Sequence, residues 1–365
     1  MLTPHPIVFK PEVLLQFTQE VFRTLGVPAA DARTAAAVLS LADLRGVDSH
    51  GVARLETYVD LLQEGRINPN PKIQVVRGKK SICTIDGDNG LGLVVGPIAL
   101  EIIIERARKH GSAWASVRNT NHFGIAGYYS LEAIKHDMLG IAMTNSTKLV
   151  APLWGAERML GTNPIAIAFP GKEQPPVVID LATSAAAYGK IEIARRNQGL
   201  VPDGWIIDKS GRPSTHPQDM VDGGALLPLG STRESGGHKG YALSAMVDIL
   251  TSVLSGANWG PFAPPFALRQ EIPDRSVGKG IGHFFGVMEI EGFMDVEEFK
   301  SRMDEWILTF RKTKPAPGQH QVLIPGDPER WEHEKRLTSG VPISEPVVED
   351  LKNVSKKTGV YLEIP

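Results

Sequence analysis

Cysteine is nearly missing from this 365-residue chain: Cys83 is its only one. A single thiol excludes an intrachain disulfide and a thiolate zinc cluster, and it fits a reducing cytoplasm. An excess of one charge is missing too. With 39 Lys and Arg against 41 Asp and Glu the formal net charge is −2, so neither nucleic acid nor an anionic membrane is expected as a partner. No apolar run approaches the ~18 residues of a membrane span. The best candidate, Tyr241 to Leu254, is interrupted by Asp248. The opening segment MLTPHPIVFKPE lacks the long apolar core of a signal peptide. The histidines are scattered without HExxH or similar ligand spacing, so no metal is expected. A dinucleotide fingerprint is also lacking. Gly90-Leu91-Gly92 with Gly96 reads GxGxxxG, one residue too long, and no ribose-binding acid follows ~20 residues on. We read it as a tight turn that needs glycine.

What is present is the composition of an ordinary globular protein, 42% apolar and 22% charged, long enough for two domains. Apolar residues at helical spacing predict helices over Pro11–Leu25 and Ala29–Leu44, and a third carrying Arg54 that ends near Gly65. Short β-rich runs follow at Ile73–Val76, Ile82–Ile85, Ala113–Val117, Ile141–Thr144, Ile165–Phe169 and Val177–Leu181. Helices are expected at Pro97–Lys109, Gly124–His136, Ala185–Arg195, Tyr241–Leu254 and Val296–Arg311, with a strand at Phe284–Ile290 and an irregular loop at Pro261–Pro273. The charged, proline-containing tail from Pro315 adds short helices near Arg330–Arg336 and Val347–Lys356. The pattern is a mixed α/β core behind a helical N-terminus.

Four stretches carry chemistry. In DSHGVARLETY, Asp48 to Tyr58, His50 and Arg54 are four residues apart at an apparent helix start, which puts both on one face. An imidazole that moves a proton near pH 7 and a guanidinium that grips a carboxylate suit a small organic acid. The other reading is a solvated helix start with Asp48 or Ser49 as N-cap. Asp180-Leu181-Ala182-Thr183-Ser184 ends a strand and enters a helix that Thr183 or Ser184 can cap, so its free N–H groups either face a phosphate or simply begin a capped helix. Glu234–Gly240 delivers Lys239 to a helix start, where its charge opposes the helix dipole, so anion binding explains it better than stability does. His122, in NTNHFG, follows a strand and precedes a helix, where ligands of α/β sheets bind; a turn histidine satisfied by backbone is the alternative.

Taken together, DSHGVAR, NTNHFGIAGYY, GTNPIAIAFPG, VIDLATSAAAYGKI and GGHKGYALSAMVDIL resemble the type-2 malate/L-lactate dehydrogenase family, most closely its malate dehydrogenase members, from about Val8 to Glu329. That family is unrelated to the Rossmann-fold malate and lactate dehydrogenases. The resemblance implies a non-Rossmann α/β (mixed α+β) fold in which a helical domain built from both chain ends, residues 1–75 and 300–365, packs on a mixed-sheet domain, residues 76–299. It implies hydride transfer between NAD or NADP and a small 2-hydroxy or 2-oxo acid, malate and oxaloacetate first, in a cytoplasmic homodimer with sites near the subunit interface. Relatives on this scaffold act on lactate, ureidoglycolate, sulfolactate or a cyclic imino acid. A catalytically silent binder is the reading from another class, and retention of His50, Arg54, His122 and Lys239 speaks against it. By motif, His122 resembles the catalytic acid/base with His50 beside it, His50 and Arg54 the substrate site with Arg54 on the carboxylate, and Ser146, Asp180, Leu181, Ala182, Lys239 and Gly326 the cofactor contacts. Asp327 stands where the family's PGE-like turn carries glutamate.

Overall fold

The computed structural model describes residues 6–266 and 272–365; residues 267–271, within the loop expected to be irregular, and the first five residues of the opening segment lie outside the described residues. In chain order, β1 (Ile7–Phe9), α1 (Pro11–Thr24), α2 (Ala29–Leu44) and α3 (Leu55–Gln63) precede β2 (Gln74–Lys79), β3 (Ile82–Gly90), α4 (Gly92–His110), β4 (Ser112–Thr120), α5 (Ala126–Ile134) and β5 (Met138–Thr144). Then come β6 (Ile165–Phe169), β7 (Val177–Leu181), α6 (Tyr188–Arg196), β8 (Ile206–Ile207), β9 (Pro213–Ser214), α7 (Gln218–Val221), β10 (Ala225–Leu226) and α8 (Gly237–Asp248). The remaining elements are β11 (Ile281–Glu289), α9 (Val296–Arg311), α10 (Asp327–Ser339), β12 (Val341–Ile343) and α11 (Glu345–Thr358).

Seven strands form one mixed sheet in the order β2-β3-β4-β11-β5-β6-β7. β3 and β4 run parallel, joined by α4, and the other neighbours are antiparallel. A Val- and Ile-rich stripe of α4 (Val95, Ala99, Ile103) and Tyr129 and Ala133 of α5 bury against Ile85, Ala115 and Phe285 of the sheet. A second core joins the two ends of the chain. Leu14, Phe17 and Val21 of α1, Leu39 of α2 and Leu55 and Val59 of α3 pack with Val341, Val348, Leu351 and Val354. β1 pairs antiparallel with β12, Phe9 opposite Val341, which ties the tail back to the start. A small sheet, β10-β8-β9, stands apart from the large one. No helix among the described residues is long and apolar enough to cross a membrane.

Three local expectations change. His50 and Arg54 do not open an α-helix: Asp48–His50 and Val52–Arg54 are two separate 3-10 turns, broken by Gly51 at φ −91°, ψ −144°. The cause lies beneath them. The buried Asp43 carboxylate accepts the Val52 N–H at 2.9 Å, and a Cβ on Gly51 would lie 1.8 Å from Asp43 Oδ1. Thr183 and Ser184 cap nothing, because α6 starts at Tyr188 and their hydroxyls donate to the Thr162, Asn163 and Ala186 carbonyls. α4 begins at Gly92, ahead of the expected Pro97, so that proline sits inside the helix.

The same helix start explains the glycine pattern. Gly92 is not needed for a turn; a Cβ there would lie 2.0 Å from the Asn121 carbonyl oxygen and 2.5 Å from that of His122. The helix therefore packs directly against the backbone that carries His122. Gly92→Ala should push that loop outward and cost about 1–3 kcal/mol of stability through overpacking. Thermal unfolding of the variant beside the native chain checks this, and an unchanged Tm would mean the loop yields freely.

Candidate active site

His122 lies in the loop between β4 and α5. Gly124 allows the sharp exit of that loop, with φ +77° and a position where a Cβ would come within 2.7 Å of Val38 Cγ1. Two rings stack on the imidazole. Phe266 stacks on it at 4.4 Å between centroids and 2° between planes, and His50 stacks at 5.5 Å and 24°. Tyr58 of α3 places its hydroxyl 2.6 Å from His122 Nδ1 and 3.3 Å from the His122 carbonyl oxygen. If the phenol proton goes to that carbonyl, the Tyr58 oxygen accepts from Nδ1–H and Nε2 is left with a free lone pair. If it goes to Nδ1, beside the Gly124 N–H at 3.3 Å, the ring proton sits on Nε2. One rotatable hydroxyl thus serves both tautomers. Burial pushes the Tyr58 phenol far above its ordinary range, so it stays protonated.

The electrostatics keep both histidines neutral. Burial lowers His50 to about 4, with the Arg54 charge adding to the shift. Burial also takes His122 well below its ordinary value, helped by His50, Arg54 and His283. Arg54 is held by a 2.6 Å bond from Nε to the Ser49 carbonyl, and no carboxylate among the described residues pairs with its outer nitrogens. Ser49 Oγ also meets His50 Nδ1 at 2.9 Å. The arrangement presents a proton carrier beside an uncompensated guanidinium.

His50, Arg54, His122 and Phe266 line one cleft of about 990 Å³, at the upper end of the roughly 300–1,000 Å³ typical of ligand sites, with Tyr58 buried behind its wall. Eight residues expected at a site, His50, Arg54, His122, Ser146, Asp180, Leu181, Ala182 and Gly326, line it together. Lys239 does not: it is exposed in the first turn of α8, outside the cleft wall. Asp180 is open to the cleft interior yet ringed by protein. It accepts the Gly127 N–H at 2.8 Å, and burial raises it to about 6, with Gly127 and Arg45 opposing that rise. Asp327 turns away, into ion pairs with Arg311 at 2.8 Å and Arg330 at 3.3 Å. Tyr58, Phe266, Arg45 and Arg66 were not anticipated. Tyr58 carried a signal, since it follows Arg54 by four residues within the stretch already singled out. Phe266 carried none, lying in a proline-rich loop.

A dinucleotide fits the donors present. Ala187, Tyr188 and Gly189 bring the amide end of α6 to the cleft, and Gly326 does the same for α10 at φ +95°. Ser146 offers a hydroxyl and Asp180 a carboxylate for sugar hydroxyls. Amide ends for phosphates and acceptors for ribose are the required set, supplied here without a glycine-rich loop.

Fold and site thus define a dehydrogenase that lacks the Rossmann phosphate turn. The chain belongs to the malate/L-lactate dehydrogenase family, whose model matches residues 9–352. It is 44% identical over 348 residues to a malate dehydrogenase of Pyrococcus horikoshii, covering 95% of this chain and 94% of that protein. To an L-sulfolactate dehydrogenase of Methanocaldococcus jannaschii it is 38% identical over 357 residues, covering 98% and 99%. The crystal structure of a malate dehydrogenase from Entamoeba histolytica superposes with a TM-score of 0.91 at 34% identity, covering 98% of this chain and 100% of that one.

A neutral His122 makes the fold sensitive to acid. Its folded pKa lies below the ordinary 6.5, so below that pH the unfolded chain takes up the proton first, and stability present above pH 6.5 is lost as pH falls. Between pH 6.5 and 4.5 the native chain should therefore lose more Tm than His122→Asn, measured by circular dichroism. Parallel slopes would show that His122 titrates normally in the folded state.

Proposed function

We propose that the chain interconverts a small 2-hydroxy acid and its 2-oxo acid with NAD or NADP, malate and oxaloacetate being the leading pair. The observation that carries this reading is the meeting of His122, His50 and Arg54 in one cleft with two helix N-termini and Asp180. When bound, the dinucleotide supplies or takes up the hydride at C2 of the acid. The chain handles the proton and the geometry. In oxidation the neutral His122 takes the proton of the C2 hydroxyl, and in reduction it first takes up a proton from solvent and then gives it to the C2 oxygen, backed at Nδ1 by Tyr58. Arg54 holds the C1 carboxylate through its two outer nitrogens, which fixes C2 against His122. His50 and Phe266 both stack on the imidazole and hold its plane.

The malate preference draws support from the relatives and from Arg66, a further guanidinium on the cleft wall that suits an acid with a second anionic group. Sulfolactate, named for another relative, has that second group as well. Ser146, Asp180, Leu181, Ala182 and Gly326 hold the dinucleotide in this reading. Lys239 would join them only from outside the cleft wall of its own chain. The division into 1–75 with 300–365 and 76–299 acquires a use here, because Arg54 and Gly326 reach the cleft from one part and His122 and Asp180 from the other. Free Cys83 supports the cytoplasm as location.

Assay of 2-oxo acids with NADH and with NADPH tests the reading, and no turnover on any of them would end it. His122→Ala should lower kcat by roughly 10²–10⁴ while reduced cofactor still binds. If His50→Ala shows that loss and His122→Ala does not, the two roles are exchanged.

The chain pairs as a homodimer in this reading. Tyr241, Met246, Ile249 and Val253 run along α8 and its extension and are 36%, 39%, 54% and 56% exposed, an apolar strip suited to a second copy. Sedimentation should give twice the 39.6 kDa chain mass, and a monomer at micromolar concentration would refute the pairing.

A further inference from the structure

The tail helix α10 reaches the turns that carry His50 and Arg54. Its Arg336 is 7% exposed although it bears a full charge. Nη1 donates to the Asp43 carbonyl at 2.6 Å and to Asp48 Oδ1 at 2.5 Å, Nη2 faces Asp48 Oδ2 at 3.5 Å, and Nε donates to Glu332 at 3.0 Å. Asp43, 2% exposed, directs its carboxylate into the same turns, holding the Val52 N–H and filling the space under Gly51. One side chain from the far end of the sequence therefore grips both the support (Asp43) and the first residue (Asp48) of the Asp48–Arg54 segment.

We propose that Arg336 is a positioning residue of the substrate site, fixing the two 3-10 turns so that Arg54 and His50 face the bound acid. The inference rests on reading the cleft as a 2-oxo-acid site. Three features carry it beyond ordinary packing. A 3-10 turn of three residues is a weak element on its own, so its geometry must come from outside it. Arg54 is further constrained by its Nε bond to Ser49 O, which makes its direction depend on where the first turn sits. The grip is specific, because a guanidinium that bonds a main-chain carbonyl, Asp48 and Glu332 at once cannot be replaced by a point charge. Beyond the turns, the same helix begins at Gly326 and carries Pro328 and Glu329 on the cleft wall, so α10 touches the site at both ends.

The test compares native chain, Asp48→Asn, Arg336→Gln, Arg336→Lys and the double variant Asp48→Asn/Arg336→Gln. Each is assayed for oxaloacetate KM and kcat, for NADH affinity by fluorescence titration and for Tm. Asp48 is largely exposed, so its variant keeps the fold even where Arg336→Gln does not. Expected is a rise of roughly tenfold in KM for Asp48→Asn and for Arg336→Gln, with NADH affinity within about twofold of native. Arg336→Lys should recover only part of it, and the double variant should be no worse than Arg336→Gln alone, as for residues acting through one contact. A lowered Tm with native KM in Asp48→Asn would reduce Arg336 to a packing role and overturn the proposal. Equal losses of oxaloacetate and NADH affinity would overturn it as well, by showing general loosening of the cleft. Failure of the native chain to turn over any 2-oxo acid would remove the underlying reading and the proposal with it. A native chain that is active beside an Asp48→Asn variant of native KM would remove only the proposal.

Discussion

The 2.6 Å contact between the Tyr58 hydroxyl and His122 Nδ1 is a polar link between two cores that also share α4, Ile73 and Tyr128. Tyr58 belongs to the helical core drawn from both chain ends, and the His122 loop is packed by α4 against the sheet core. Both partners are held rigidly. Tyr58 is fully buried beside Phe22 at 6.1 Å and Phe266 at 4.9 Å, and the His122 loop is pinned by Gly92 on one side and Gly124 on the other. At the cleft the two cores meet through this polar contact, while Leu93 and Val94 of α4 make the apolar seam behind it. The buried Tyr58 hydroxyl needs a partner, and the half-buried His122 ring supplies it.

Burial and Arg54 set the charge state of the site. Partial burial of both imidazoles beside Arg54, which no carboxylate among the described residues pairs, disfavours further positive charge, so the histidines stay neutral. In the proposed reaction an incoming carboxylate would meet the Arg54 guanidinium beside a neutral imidazole, with Arg45 and Arg66 elsewhere on the cleft wall. An acid that neutralised Arg54 would relieve that residue's share of the shift on His50 and His122, so binding and proton uptake would be linked through it.

Much of this was legible in the sequence, unevenly and for physical reasons. α2, β6, β7 and α9 match their expected limits, because each is an apolar pattern of clear period bounded by Pro, Gly or charged residues. The site residues were legible as types at strand ends and helix starts, and all but Lys239 converge on the cleft. The two 3-10 turns were not, because a four-residue spacing reads as α-helix unless the buried Asp43 beneath Gly51 is known. The glycines of GLGLVVG read as a turn, whereas their need is close approach, a long-range property invisible to local pattern. β1 and β12 were missed because each is three residues long and finds its partner at the opposite end of the chain. Phe266 was missed because stacking on His122 is a property of the folded loop, not of its composition.

The missing Rossmann turn can now be read as a consequence of topology. A glycine-rich loop serves where a parallel strand runs straight into a helix that must approach a pyrophosphate closely. Here β3 does run into α4 within two residues, but the Asn121 carbonyl lies 2.0 Å from where a Gly92 side chain would begin, and Pro71 lies 2.6 Å from where one on Gly90 would. The junction supports the proton carrier and cannot also receive a phosphate. Anion-binding capacity has to come from other helix starts, and α6 and α10 open onto the cleft where β7 ends and where the tail returns to Val178 through a 3.0 Å bond from its N–H to Pro325 O. Asp327, turned into its own ion pairs, anchors the second of these starts rather than facing the ligand. In this fold the sheet and first helices position His122, His50 and Arg54, and the late chain supplies another wall of the cleft, so neither end can build it alone.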